Sequence, residues 1–233
     1  MKIGFLFAME EEAKVLEKLA SFQPWQLYHD FKITEFLHEN HEIIALICGI
    51  GKSFSAAGAM LLLEKYKPDI IINIGLAGGI KCQVGDIVLS QSALFHDVDL
   101  STFGNKKNQL ASMPLVFTSA KKSINLKSFI QNLHRQDLAS SKISEAMVIS
   151  GDQFIDNAAY VAQLSSNYPE VMAVEMEAAS IGAICHRWPC EFLFIKKISD
   201  LADEDATESF TDQVHKVESV LAEIIQALLA QLA

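Results

Sequence analysis

Positive charge is scarce in this 233-residue chain: 19 Lys and Arg stand against 29 Asp and Glu, for a net charge of −10. No phosphate-matching field exists, which excludes a general nucleic-acid or anionic-membrane binder and points to small or neutral partners. Cysteine is also sparse. Cys48, Cys82, Cys185 and Cys190 show no CxxC spacing, so neither a zinc site nor a disulfide framework is expected, and a reducing, cytoplasmic location fits. No apolar run approaches the roughly 18 residues of a membrane span. The opening MKIGFLFAMEEEAK passes directly from a short apolar run into three glutamates, so it reads as a strand and not as a cleaved leader. The seven histidines lack HxH or HExxH spacing, and no metal is expected. Linkers rich in Gly, Ser or Pro are missing, as are internal repeats, so residues 1–233 are expected to form one domain.

Half of the residues are hydrophobic, enough for a substantial core and against disorder. The runs KIGFLFAM, EIIALICGI, DIIINIGLA, DIVLSQSALF, AMVISGDQFI, VMAVEME and FLFIKKISD are mostly unalternating. That pattern suits strands buried on both faces of a largely parallel or mixed sheet. Between them SFSAAGAMLLLEKY (53–66) has helical spacing and ends before Pro68. After Asp203, Val214, Val217, Leu221, Ile225, Leu228 and Leu232 form one stripe of a capped C-terminal helix. An α/β sandwich follows, and STFGNKKNQLASMP (101–114) reads as a long loop of the functional or interface kind.

GIGKS, Gly49 to Ser53, invites a phosphate-loop reading, but that motif needs a glycine where Leu46 stands. A strand-to-helix turn with Gly51 in the tight position is the better account. NIGLAGG, Asn73 to Gly79, lacks GxGxxG spacing and reads either as a plain turn or as backbone that a flat ligand can approach at a strand end. The acids are more informative. Glu12 follows the first strand, Glu175 and Glu177 end another in AVEMEAAS, and Asp200 ends FLFIKKISD. Unpaired carboxylates among apolar residues are costly, so a cation pairs them or they perform chemistry. Glu10 and Glu11 suit a solvated first helical turn, and Asp203, Glu204 and Asp205 suit a solvent-facing cap. Carboxylates without a metal-type cluster fit a reaction through a cationic sugar, in which one acid protonates the leaving group and another polarises water. Phe154 in SGDQFID is placed to stack on a base.

AMEEE (8–12), GIGK (49–52), GLAGG (75–79), VGDIV (84–88), SGDQFI (150–155), VEMEAA (174–179) and ISD (198–200), in this order, resemble the 5′-methylthioadenosine/S-adenosylhomocysteine nucleosidases of the nucleoside phosphorylase superfamily. The resemblance implies a single-domain three-layer α/β sandwich with a mixed, barrel-like central sheet flanked by helices. It also implies a homodimer and cofactor-free hydrolysis of the adenine–ribose bond of 5′-thio nucleosides, in methionine salvage and methyl-cycle detoxification. By the same resemblance Asp200 delivers a proton to adenine N7, Glu12 activates water, and Glu177 holds the ribose hydroxyls with Glu175 beside it and Met176 on the sugar. Phe154 stacks on adenine and the Ile155 backbone reads its edge. Ala77, Gly78 and Ser199 line the base site, Met9 and Phe210 flank the 5′ group, and Phe103 comes from the partner subunit.

Two positions depart from the family: Leu76 stands where serine is usual and Lys196 where arginine is usual. Lysine keeps the charge without the planar fork, and the leucine side chain donates no hydrogen bond. A rearranged water site or an altered 5′ preference is expected. A phosphorylase is the same-class alternative, but Glu12 in AMEEE repels phosphate. Aminodeoxyfutalosine shares the adenine and ribose and stays open as a substrate. A nucleoside-binding sensor is the non-enzymatic alternative, and the retained acids argue against it.

Overall fold

The computed structural model describes residues 1–120, 123–135, 141–214 and 218–232. Its strands are β1 (Lys2–Phe7), β2 (Gln26–Tyr28), β3 (Phe31–His38), β4 (His41–Ile47), β5 (Ile70–Gly79), β6 (Ile87–Ser90), β7 (Ser92–Phe95), β8 (Phe117–Thr118), β9 (Ile143–Glu145), β10 (Met147–Ser150), β11 (Val171–Glu175) and β12 (Glu191–Asp200). The helices are α1 (Glu10–Ala13), α2 (Lys52–Leu61), α3 (Leu126–Arg135), α4 (Ala158–Asn167), α5 (Ala178–Arg187), α6 (Ala206–Val214) and α7 (Glu218–Leu232).

β5 and β12 are buried along their whole length, as β-branched runs covered on both faces should be. On one face Ile72, Ile74 and Ile195 pack with Leu221, Ile225 and Leu228 of α7. On the other, Ile71 and Phe194 pack with Ala59 and Leu62 and with Ala179 and Ile181 of α5. These are the expected three layers around one mixed sheet. Its order is β2-β3-β4-β1-β5-β11-β10-β7-β8, with β12 paired to β5 and β6, and β6 paired to β9. β5 therefore borders three strands. It runs parallel to β1 and β12, while its last residues pair antiparallel with β11. The sheet forks there, and a fork leaves a crevice at strand ends of the kind open α/β sheets use for ligands.

Several expectations are decided or need correction. Of the two readings of NIGLAGG the plain turn is excluded: β5 runs through Gly79, with Gly78 paired to both Asp200 and Val174. DIVLSQSALF is two strands parted at Gln91, where Ser90 Oγ donates to Ser92 O at 2.7 Å and accepts from Ser92 N at 3.1 Å. Each half then serves different partners, β6 joining β12 and β9 and β7 joining β10 and β8. The helix expected after Asp203 is present among the described residues as α6 and α7, and Val217 lies outside those residues. Asp203 sits in the turn that leads into α6, its carbonyl accepting from Ala206 N at 3.0 Å and its Oδ1 from Asp205 N at 3.2 Å. No described helix is long and apolar enough to cross a membrane.

Candidate active site

At the fork lies a cavity of about 300 Å³. β5 supplies Ala77 and Gly78, β11 and the residues after it supply Glu175, Met176 and Glu177, and β12 supplies Ser199 and Asp200. Met9 follows β1 and Glu12 lies in α1, Phe154 and Ile155 come from the segment after β10, and Phe210 from α6. Every expected site residue of this chain reaches the cavity except Phe103, which is 82% exposed on the 101–114 loop and lies outside its lining. Ile50 and Gln153 line it too; their residue types carry no functional signal, although Ile50 lies in GIGK and Gln153 in SGDQFI.

Glu12 folds back from the four-residue α1. Its Oε2 accepts from Ala8 N at 3.1 Å and Met9 N at 3.0 Å, and Oε1 accepts from Leu76 N at 3.0 Å. Gly75 is required beside it, since a Cβ there would overlap Oε1. Burial pushes the Glu12 carboxyl above its ordinary range, outweighing Lys196 and the three N–H donors that favour the ion. The leucine at 76 thus leaves this anchor intact, because the donor is backbone. Glu10 is exposed, as its solvated-turn reading requires.

Glu175 has a different role in the geometry. Oε1 accepts from the Ser150 hydroxyl and from Ala178 N at 3.1 Å. Oε2 accepts from Glu177 N at 3.1 Å and Ala178 N at 3.0 Å and lies 2.7 Å from Lys196 Nζ. That carboxylate occupies the positive end of α5 and is committed to the protein. Glu177 keeps more freedom: Gly51 N donates to its Oε1 at 2.9 Å, and Lys196 Nζ is 3.9 Å from Oε2.

Lys196 is only 1% exposed, one cation among the carboxylates of Glu12, Glu175 and Glu177. One charge cannot neutralise three. Burial, then Glu175 and Glu12, push the Glu177 carboxyl up to about 8 against the pull of Lys196 and the Gly51 N–H. Burial alone would lower the Lys196 ammonium, but Glu175, Glu177 and Glu12 hold it above its ordinary value. The cavity floor gathers three carboxyl groups around one ammonium, so a positive charge developing above it favours their ionised forms.

Asp200 stands across the cavity at the end of β12, where the register with β5 shifts after Ile198 and re-aims the chain. Its Oδ2 accepts from Ser199 Oγ at 2.6 Å and Oδ1 from Ala202 N at 2.9 Å. Burial still raises its pKa above the ordinary value over both donors. Phe154 and Phe210 meet edge to face, centroids 5.8 Å apart, and form an aromatic wall.

A family model described as the phosphorylase superfamily matches residues 2–230. The chain is similar to a 5′-methylthioadenosine/S-adenosylhomocysteine nucleosidase of Actinobacillus succinogenes, 34% identical over 234 residues and covering all of both chains. Among solved structures it is similar to the nucleosidase of that name from S. pneumoniae with the transition-state inhibitor MT-ImmA, at a TM-score of 0.89, 31% identity and full coverage of both chains. The Colwellia psychrerythraea nucleosidase in complex with adenine superposes at a TM-score of 0.87 and 29% identity, over 99% of this chain and 95% of that one.

Proposed function

The chain belongs to the phosphorylase superfamily and, within it, to the 5′-methylthioadenosine/S-adenosylhomocysteine nucleosidases, and from that premise we propose that its cavity hydrolyses the N-glycosidic bond of these 5′-thio adenine nucleosides. The observation that carries the reading is the convergence of Glu12, Glu177 and Asp200 on one cavity with an aromatic wall, with Lys196 buried against its carboxylates. Adenine stacks against Phe154 with Ala77, Gly78, Ile155 and Ser199 around it, and Met176 packs on the ribose. Asp200, its carboxyl raised by burial, gives a proton to N7 of the leaving base. Glu177 holds the ribose hydroxyls, Glu175 supports it from behind through Lys196, and the carboxyl groups of the floor stabilise the cationic sugar as its charge develops. Glu12, pinned by three N–H donors, takes a proton from water as the water attacks the anomeric carbon. Met9 and Phe210 flank the 5′ group. Phosphorolysis is disfavoured because the buried cation is already engaged by Glu175 at 2.7 Å. The purified protein is expected to release adenine from 5′-methylthioadenosine at a rate that phosphate does not change; a rate that rises with phosphate sinks the hydrolase reading.

The pH profile should be bell-shaped, because Glu12 must be ionised and Asp200 protonated. Activity falls in acid as Glu12 takes up a proton and in alkali as Asp200 loses its own, burial raising both groups above their ordinary values. The Ser199 hydroxyl lowers the Asp200 pKa. Ser199→Ala should therefore move the limb set by Asp200 to higher pH and leave the other in place; a profile in which neither limb moves would remove Asp200 as the source of either.

We also place the activity in a cytoplasmic homodimer. All four cysteines are thiols, which suits a reducing compartment. Phe103, almost fully exposed, suits insertion over a partner's cavity. Sedimentation should show a dimer at micromolar concentration, and Phe103→Ala should raise KM for the nucleoside. A fully active monomer contradicts this.

A further inference from the structure

In the strand order β4 and β7 are separated by β1, β5, β11 and β10, yet the chain just beyond their ends meets across the mouth of the site. Lys52, the first residue of α2, places Nζ 2.5 Å from Asp97 Oδ2 and 3.8 Å from Asp152 Oδ2. The Lys52 N–H donates to Asp152 Oδ1 at 2.8 Å, and Asp152 N donates to Asp97 Oδ2 at 2.9 Å. The lysine stem crosses Phe95, with Nζ 5.5 Å from the ring centroid. Burial acts to raise the Asp97 carboxyl, but Lys52 and the Asp152 N–H outweigh it and hold that carboxyl below the usual range. Lys52, Asp97 and Asp152 do not line the cavity, but Ile50, two residues before Lys52, and Gln153, next to Asp152, do. Gly51, at φ 98°, brings its N–H to Glu177 Oε1 at 2.9 Å. Asp152 immediately precedes Gln153 and Phe154.

We infer that Lys52 is a positioning residue: clamped between Asp97 and Asp152, it fixes the 49–52 turn, and through the Gly51 N–H the Glu177 carboxylate, against the 151–155 segment that carries the aromatic wall. A part-exposed ion pair contributes little to stability, so the consequence is geometric. Losing the ammonium removes the tie to Asp97 and leaves the turn that holds Glu177 on the Lys52 N–H to Asp152 alone, a looser seat. The base segment keeps its own anchor, because Asp152 N still donates to Asp97. The ribose half of the site loosens while the adenine half stays.

The inference rests on the nucleosidase reading, and its test compares Lys52→Met, which keeps the stem over Phe95, with Lys52→Arg and the parent. Adenine release from 5′-methylthioadenosine and the affinity for free adenine are measured in each. Lys52→Met should lower kcat roughly tenfold with adenine affinity within about twofold of the parent, and Lys52→Arg should recover most of the loss. Asp97→Asn, which removes the same charge contact without touching α2, should repeat the kcat loss if the methionine variant folds poorly. An unchanged kcat, a kcat loss matched by an equal loss of adenine affinity, or an arginine variant no better than methionine overturns the inference. A parent protein that releases no adenine refutes the nucleosidase reading itself, before any variant is compared.

Discussion

Asp200→Asn is expected to cut adenine release by at least roughly 10²-fold while an unreactive adenosine analogue still binds. Adenine leaves poorly as an anion, so departure needs a proton. The amide keeps the size of the acid and donates a hydrogen bond to N7, but it cannot complete the transfer. A second consequence concerns stability. Burial raises the folded-state pKa of Asp200 above its ordinary value, so its ionisation weakens the fold as pH rises through that raised value. An amide does not ionise. The variant should therefore unfold at a higher temperature than the parent at neutral and alkaline pH, with the difference vanishing below the ordinary Asp range. Lost affinity with an unchanged turnover number would make Asp200 a binding residue instead.

Glu12→Gln should abolish turnover by a similar factor, roughly 10²-fold or more, since the amide cannot accept the proton of the attacking water. The substitution is not silent in hydrogen bonding. Oε2 serves the N–H groups of both Ala8 and Met9, so the amide oxygen will take that side and the NH₂ will face the Leu76 N–H. One buried donor then goes unsatisfied, at a cost of about 1–3 kcal/mol. Affinity for free adenine should persist, because the base wall is built from Phe154 and Phe210 on other segments. Wild-type turnover in Glu12→Gln would assign the water to another group.

The layers and the acids were legible in the sequence for a common reason. Runs such as IIINIG in β5 and FLFIKKIS in β12 are apolar on both faces because helices cover both, and carboxylates at the ends of such runs stand out as costly. The β2–β3 pair was not legible: Gln26–Tyr28 is wholly exposed and β3 mixes buried with exposed positions, so neither is marked by an apolar run. The glycines of GLAGG suggested a turn because glycine usually punctuates strands. Here they serve clearance, Gly75 for Glu12 and Gly78 between β11 and β12. Lys196 was noticed as a departure, but its engagement with Glu175 depends on β11 and β12 flanking opposite sides of β5, a long-range fact that no local pattern carries. The same holds for Lys52 and Asp97, brought together from strands far apart in the sheet order.

The central claim is that water, activated by Glu12, is the nucleophile at the anomeric carbon while Asp200 protonates the base. Turnover of 5′-methylthioadenosine in water enriched in heavy oxygen, with and without phosphate, followed by mass analysis of the sugar product, tests it most directly. The account predicts one labelled oxygen on the anomeric carbon of free thioribose and an adenine yield that phosphate leaves unchanged. An unlabelled sugar 1-phosphate, or a nucleoside that is bound and never cleaved, would contradict it.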